Sequence, residues 1–399
     1  MIIHKFLVSF SRTADFGMEY TTETPQSNGS ISDLYSRQLK DIDPMIIEEA
    51  KYYNDNIGIW GAFMNYNNLM IDATKKAPWT YSINPNGLDI NDYLIQTQSV
   101  YRKGISNNYS IGSGFNINDM VYLGATFGIR TFDLDEYVTY YENGVDGNIG
   151  DFQELENTSN LYQNGVSFDF KIGATIQPID GLRIGLAYHA PRSTSIEEKY
   201  SLYQNISFKN NDYYSQNAPY VTNSYNIVSS HRLLTGISYR FSSLGIISFD
   251  YTLNMNGTIK MKNTNGTENI NNYLRNSLRN NSEYKIGIEI QPFKGFFVRG
   301  GYNYIETPYS DEYLEYLVDY GVKNNKDRRQ YGAQHYASAG LGYRFMNFYI
   351  DFAYQYVFNK VPSYMLYGES FDDITITAEN QISESITRNM FSLTCGVKF

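Results

Sequence analysis

Residues Gly165 to His189 read GVSFDFKIGATIQPIDGLRIGLAYH, and the alternation in this stretch restricts the chain more than any other feature. Val166, Phe168, Phe170, Ile172, Ala174 and Ile176 fall in one phase, and Ser167, Asp169, Lys171, Gly173 and Thr175 in the other. A period of two separates into two faces only on a β-strand. Pro178-Ile179-Asp180-Gly181 then reads as a turn, and Leu182, Ile184, Leu186 and Tyr188 alternate with Arg183, Gly185, Ala187 and His189. The unit is a hairpin with one apolar and one polar face. Each arm approaches the roughly 9–11 residues with which a tilted strand crosses a bilayer. A soluble sandwich uses the same pattern, so recurrence decides.

The pattern recurs. Ile2 to Tyr20 is strand-like, with Phe6, Val8, Phe10 and then Phe16, Met18 and Tyr20 on the apolar side. Asn108 to Asn116 turns through Ile117-Asn118-Asp119 into Val121, Leu123, Ala125, Phe127 and Ile129. Leu233 to Phe241 pairs with Ile247 to Met255 across Ser242-Ser243-Leu244-Gly245, and Ala337 to Phe345 with Phe348 to Phe358 across Met346-Asn347. Lys285-Ile-Gly-Ile-Glu-Ile-Gln-Pro292 nearly copies Lys171-Ile-Gly-Ala-Thr-Ile-Gln-Pro178, with Gly295 at the offset of Gly181. Duplication and convergence on one turn chemistry both account for the copy. A last strand, Phe391 to Phe399, stands alone. That makes about twelve strands, one early and eleven from Asn108 onward.

Long polar insertions, about 133–164, 191–227, 256–282, 306–334 and 359–387, separate the tight turns. Alternating short turns and long insertions give a two-ended object, as in antiparallel barrels of outer membranes. A sandwich has no reason to gather every long loop at one end. Phe241, Phe296, Phe345, Phe348 and Phe399 sit beside the short turns and Tyr188, Tyr304 and Tyr356 towards the long loops, as two interfacial girdles. Asp169, Lys171, Arg183, Arg240, Asp250, Lys285, Glu289, Arg299, Arg344 and Asp351, with Glu283 and Lys398, fall on the opposite phase and are expected inside the lumen, since charge on the lipid face is costly. They are expected either to hold a carboxylate or to fill the barrel as ladders of opposite charge.

The mean hydropathy is −0.44, and no apolar run approaches the roughly 20 residues of a membrane helix. A barrel escapes that test because alternation cancels in the average. A net charge of −10 disfavours a nucleic-acid partner. Cys395 lies on the apolar phase of its strand and reads as a small hydrophobe. The four histidines, His4, His189, His231 and His335, lie on separate strands without metal spacing, so neither a metal nor a cofactor is expected.

The segments Lys5-Phe-Leu-Val-Ser-Phe-Ser-Arg-Thr-Ala-Asp-Phe16, Asn108 to Gly128 and Ile172 to Pro191 resemble the FadL/TodX-type outer-membrane transporters of long-chain fatty acids and other hydrophobic compounds, including Bacteroidetes relatives often labelled hemin receptors. The resemblance implies a single barrel domain over 1–399, placed in a bacterial outer membrane, whose function is passive uptake of hydrophobic small molecules. It implies fourteen strands, an N-terminal plug with an Asn-Pro-Ala motif and an inward kink in the third strand. No plug or motif stands here, and Met1-Ile-Ile-His-Lys-Phe lacks the features of a secretory leader. The expectation is an N-terminally truncated member whose first strand corresponds to the family's third, with Gly17 the one candidate for the kink. Closure is expected either by pairing of the first and last strands or with a seam between them. Outer-membrane lipid, lipopolysaccharide and, through the strand ending at Phe399, the barrel-assembly machinery are the expected partners.

An importer of apolar molecules needs an apolar collecting surface outside. The excursion over 28–97 supplies one: Leu34, Tyr35, Leu39, Ile42, Ile46, Ala50 and Tyr53 recur at helical spacing, and Asp43-Pro44 reads as an N-cap and first helical residue. Leu34, Ile46, Ile47, Trp60, Phe63, Met64 and Trp79 are the candidate substrate contacts, unless they pack the loop onto the barrel mouth. Tyr313 and Leu317, in a second helical stretch after Ser310-Asp311-Glu312, are candidates too, and Ile270, Tyr273, Leu274 and Leu278 mark a third helix. A general porin or structural barrel is the alternative. An outer-membrane hydrolase using His189 or His335 is a more distant one, since no Ser or Asp is singled out beside either histidine.

Overall fold

The computed structural model describes residues 2–27, 30–49, 59–83, 94–144, 151–242, 244–264, 266–310, 332–360 and 385–397. Its first strands are β1 (Ile2–Asp15) and β2 (Met18–Ser27). Helices α1 (Ile31–Gln38), α2 (Pro44–Glu49) and α3 (Trp60–Asn67) follow, with the small ribbon β3 (Ile71–Ala73) and β4 (Tyr81–Ile83). Then come β5 (Leu94–Ile117), β6 (Val121–Gly144), β7 (Phe152–Ile179), β8 (Leu182–His189), β9 (Ser193–Phe208), β10 (Tyr213–Asn217), β11 (Val221–Val228), β12 (His231–Phe241), β13 (Gly245–Met255) and β14 (Lys260–Lys262). The chain closes with α4 (Thr267–Ser277), β15 (Asn281–Phe293), β16 (Phe296–Ile305), β17 (Gln334–Phe345), β18 (Phe348–Lys360) and β19 (Ser385–Val397). Every strand except β3 and β4 belongs to one sheet, and all its pairings are antiparallel.

Several of these strands are collinear. β8 and β9 run up the same edge of β7, which pairs with β8 through Lys171–Ile179 and with β9 through Phe152–Phe168. β10, β11 and β12 come back down beside them. Taking β1 with β2, β8 with β9, β10 with β11 and β12, and β13 with β14, the described residues form twelve staves, the number expected. Two expected insertions are corrected: 133–164 and 191–227 are mostly strand, because β6 and β7 extend for 24 and 28 residues and β9 to β11 continue their neighbours. The excursion likewise gives residues at its end to β5, which begins at Leu94.

The short turns follow from their residues. Asn118 and Asp119 take φ of 55° and 56°, which short polar side chains tolerate. Gly181 and Gly295 take φ of 86° and 83°. A Cβ on either would press on a neighbouring backbone carbonyl, Arg240 O at 2.8 Å or Arg344 O at 2.5 Å. Each glycine carbonyl accepts that same arginine's N–H, at 2.9 Å and 2.7 Å. Both hairpins also share a register shift just before the turn. The sequence copy is therefore a structural copy down to its contacts with the next hairpin.

In the lower tier the usual polarity is inverted. Phe168 is 56% exposed while Ser167 and Asp169 are 3% exposed, and the apolar phases of the other staves face outward in the same way. Exposed Phe, Ile and Leu against buried Ser and Asp is unfavourable in water and favourable in lipid. Tyr251, Tyr284, Tyr304, His335 and Phe358 form one register row over five strands, with successive ring centroids 5.4, 6.3, 5.0 and 6.2 Å apart. This row is the upper girdle. Below, Phe293 stacks on Phe296 at 4.7 Å, and Phe241, Phe345 and Phe348 are exposed beside their turns. Phe399 and Lys398 lie outside the described residues.

Above the girdle the polarity returns to normal. The upper parts of β5, β6, β7 and β9 enclose α1, α2, α3 and the β3–β4 ribbon, and Leu94, Tyr140, Phe152, Leu155, Leu202, Ile206 and Phe208 meet Ile31, Tyr35, Leu39, Ile47, Trp60, Phe63, Met64 and Ile71 in one apolar core. The two tiers join where staves are interrupted, at Phe16-Gly17 and at Ala190 to Arg192. Opposite the first of these, Phe16 N–H donates to Gly104 O at 2.9 Å, and Gly104 has φ of 139° with no room for a Cβ beside Asp133 O. Among the described residues β1 pairs along one edge only, to β5, and β19 along one edge only, to β18. The seam outcome is the one observed there.

Candidate functional site

The lid begins with a built helix start. Ser30 caps α1: its Oγ accepts from Ser32 N–H at 3.0 Å, and its own N–H donates to Asp33 at 3.0 Å, a reciprocal capping box. Glu142, at the top of β6, completes the cap from outside the helix. Its carboxylate accepts from Ser30 Oγ at 2.6 Å, Ile31 N–H at 2.5 Å and Tyr140 OH at 2.6 Å. Glu142 is fully enclosed, and burial raises its pKa from 4.5 to about 7 although all three donors pull the other way. In α2, Asp43 Oδ1 accepts from Met45 N–H at 2.9 Å and Pro44 is the first helical residue, as its sequence indicates.

The candidate substrate contacts separate into three groups. Ile47, Trp60, Phe63 and Met64 are buried together in the lid core, Trp60 at 5% and Met64 at 0% exposure. Leu34 is half-buried at its margin, and Trp79 is half-buried in the same excursion, its carbonyl accepting from Asp41 N–H at 2.9 Å. Ile46 projects outward at 57% exposure beside the equally open Met45. Tyr313 and Leu317, with the rest of the second helical stretch, lie outside the described residues. The third stretch is α4, ending at Ser277.

A polar string runs through the apolar core, with Gln204 between Leu202 and Ile206 on the inward phase of β9. Asn68 donates to Gln204 at 3.1 Å, Gln204 to Asn157 at 3.0 Å and Asn157 to Tyr35 OH at 3.1 Å, so side-chain amides bind the helices to β7 and β9. Lower down, Arg102 on β5 donates to Glu136 on β6, its Nε at 2.7 Å. Sequence inspection missed Glu142, Gln204 and the strand half of the lid core. The alternation of Leu202, Gln204, Ile206 and Phe208 was the available signal for β9.

The lumen charges occupy the inward phase. Asp169 lies 3.4 Å from Lys171 and 3.9 Å from Arg130, and Glu283 lies 2.9 Å from Lys285 and 3.7 Å from Arg232. Arg299 spans two carboxylates, Glu289 at 2.6 Å and Asp351 at 2.5 Å. Arg240 reaches Asp180 in the neighbouring turn at 3.0 Å, Arg183 donates to Gln177 and Arg344 lies 4.6 Å over the Phe297 ring. Three aspartates sit directly across from glycines: Asp169 from Gly128, Asp250 from Gly236 and Asp351 from Gly342. A Cβ on any of these glycines would collide with the paired carboxylate. The acids therefore lie flat against the wall and leave the bore open. A cavity of ≈ 690 Å³ remains, lined by Lys171, His189, Asp250, Lys285, Thr126 and Thr252 among others. The wall at Gly124, Gly173, Ala174 and Ala187 is shared with an apolar groove of ≈ 510 Å³, lined also by Phe115, Leu123, Ile172, Leu186 and Tyr188.

The profile of the family described as outer membrane protein transport protein (OMPP1/FadL/TodX) matches residues 91–365. Among solved structures, a Pseudomonas aeruginosa FadL homologue is similar at 15% identity with a TM-score of 0.48, over 77% of this chain and 76% of that chain. The P. putida toluene transporter TodX is similar at 10% identity and a TM-score of 0.47, over 80% and 81%. The Ralstonia pickettii toluene transporter TbuX gives 11% identity and 0.41, over 73% and 78%. No curated protein matches the sequence.

Proposed function

The chain belongs to the OMPP1/FadL/TodX family of outer membrane transport proteins, and from that premise we propose passive uptake of amphipathic molecules with a long apolar tail, such as long-chain fatty acids. Its place is the outer membrane, and its cargo class is the hydrophobic compounds this family carries. The observation that carries the finer reading is the stacking of an apolar lid core directly on a polar, charged bore. An apolar tail is favoured in the first and a charged head in the second.

In this reading Met45 and Ile46 meet the substrate first, and Leu34 and Trp79 line its way into the layer formed by Ile47, Trp60, Phe63 and Met64. The tail displaces lid contacts rather than filling a preformed hole. The barrel performs no chemical step and uses no cofactor. Outer-membrane phospholipid and lipopolysaccharide contact the outward apolar phase, and β19 is the element the assembly machinery engages.

Both tryptophans lie in the lid, so titration of the purified protein with a long-chain fatty acid should shift its emission and saturate. Trp60→Phe should remove most of the change. A flat response to every long-chain amphiphile would refute the reading. Saturable binding that ignores the lid substitutions would move the site elsewhere.

A further inference from the structure

Charge inside the barrel does not follow charge outside it. The whole chain carries −10, yet among the described residues basic side chains outnumber acidic ones along the inward phase. Asp169 and Glu283 are each matched by two cations, and Arg299 takes both Glu289 and Asp351. Arg192 and Arg344 make no ion pair among the described residues.

Arg192 adds to this excess. It stands just after β8 at the joint between the tiers, within electrostatic reach of Arg130, Arg232 and Asp169. His189 faces the same group, with Lys171 close by. Arg130 Nε, Arg232 Nε and both Asp169 carboxylate oxygens are buried without a hydrogen-bond partner among the described residues. Buried donors of this kind require an acceptor, and the carboxylate beside them, Asp169, is already shared between Arg130 and Lys171. Three guanidiniums sharing so few carboxylates favour an anionic one, because hydrogen bonds from guanidinium to an oxyanion are the stronger class. The glycine-backed aspartates leave room below this point, and the cavity there, whose mixed lining includes Lys171, His189, Asp250 and Lys285, is large enough for water and a hydrated ion.

The geometry points to a second activity: the lumen is a hydrated, anion-preferring pore, with Arg130, Arg192 and Arg232 forming a station for the anion beneath the lid. The inference rests on the barrel reading and adds to it the charge class that the bore admits. Rings of Arg and Lys select anions by the same electrostatics that let carboxylate rings select cations. Here Asp169, Glu283, Glu289 and Asp351 are each paired with a cation, and Asp250 is the cavity-lining carboxylate with no ion pair among the described residues, so cations find fewer sites than anions.

The test is the reversal potential of purified protein in planar bilayers under a potassium chloride gradient. Chloride preference is expected, and Arg192→Glu combined with Arg344→Glu should shift the potential towards the potassium side. A wild type that prefers potassium or selects neither ion overturns the proposal. Should the lid seal the wild type, a form with residues 30–93 replaced by a glycine-serine linker reads the bare lumen, after circular dichroism has verified its β content. Silence or potassium preference there overturns the proposal as well. Tryptophan titration tests the transport reading separately, so the failure of one is not the failure of the other.

Discussion

Glu142 offers the sharpest test of how the lid is held. Its carboxyl has a pKa near 7 in the folded protein, against 4.5 in an unfolded chain, so the folded state disfavours its ionised form. Stability from a carboxyl shifted in this direction is fully present below 4.5 and is lost as pH rises through 7. The shift corresponds to about 3 kcal/mol between those limits, at 1.36 kcal/mol per pH unit. The lid should therefore be held more firmly at pH 5 than at pH 8. Glu142→Gln keeps the shape and an accepting carbonyl for Ile31 N–H and Tyr140 OH, and the Ser30 hydroxyl can rotate to accept from the new amide. The substituted lid should match wild type at pH 5 and lose its pH dependence. Hydrogen exchange of residues 30–49, followed by mass spectrometry from pH 5 to 8, reads this directly. Protection that increases with pH in the wild type, or an unchanged pH profile in Glu142→Gln, would refute the assignment.

Three further outcomes follow from the packing. Trp60→Ala should loosen the lid by about 3–5 kcal/mol, visible as faster exchange in α1 and α3 with the barrel's unfolding midpoint unchanged. Phe168→Arg places charge on the lipid face and should cost about 2–4 kcal/mol in bilayer unfolding titrations, because that position faces hydrocarbon. Gly342→Ala puts a methyl group against Asp351 and 2.9 Å from Arg299 Nη1, so it should break that triad and lower the urea midpoint, whereas Gly124→Ala, whose methyl would meet Ser113 O at an ordinary 3.7 Å, should not disturb packing.

The lower tier was legible because one rule writes it. Lipid outside and water inside force a strict alternation, and Val166 to Ile176 show it without a break. The upper tier obeys a different rule. Its outer face meets water and much of its inner face is polar, so Asp133 to Asn164 carry no alternation and read as loop, although Asp133 to Gly144 and Phe152 to Asn164 are strand. The lid helices were legible from the spacing of Leu34, Leu39, Ile42 and Ile46, but the break between α1 and α2 at Lys40 to Asp43 was not. What packs on them was hidden: Phe152, Leu155 and Ile206 lie far away in sequence, and no local pattern indicates that they face Trp60. Glu142 was invisible for the same reason, since its burial depends on a helix start more than a hundred residues earlier.

β7 passes through both tiers as a single strand. Its inward register supplies Leu155 to the lid and Asp169 to the bore, while its outward register supplies Phe168 to lipid. Because side chains repeat every two residues, a one-residue slip exchanges the faces along its whole length. Such an error would push Asp169 into hydrocarbon and pull Leu155 out into water at once. The staves that span both solvents thus proofread their own alignment: no shifted pairing is tolerable at one end without being rejected at the other.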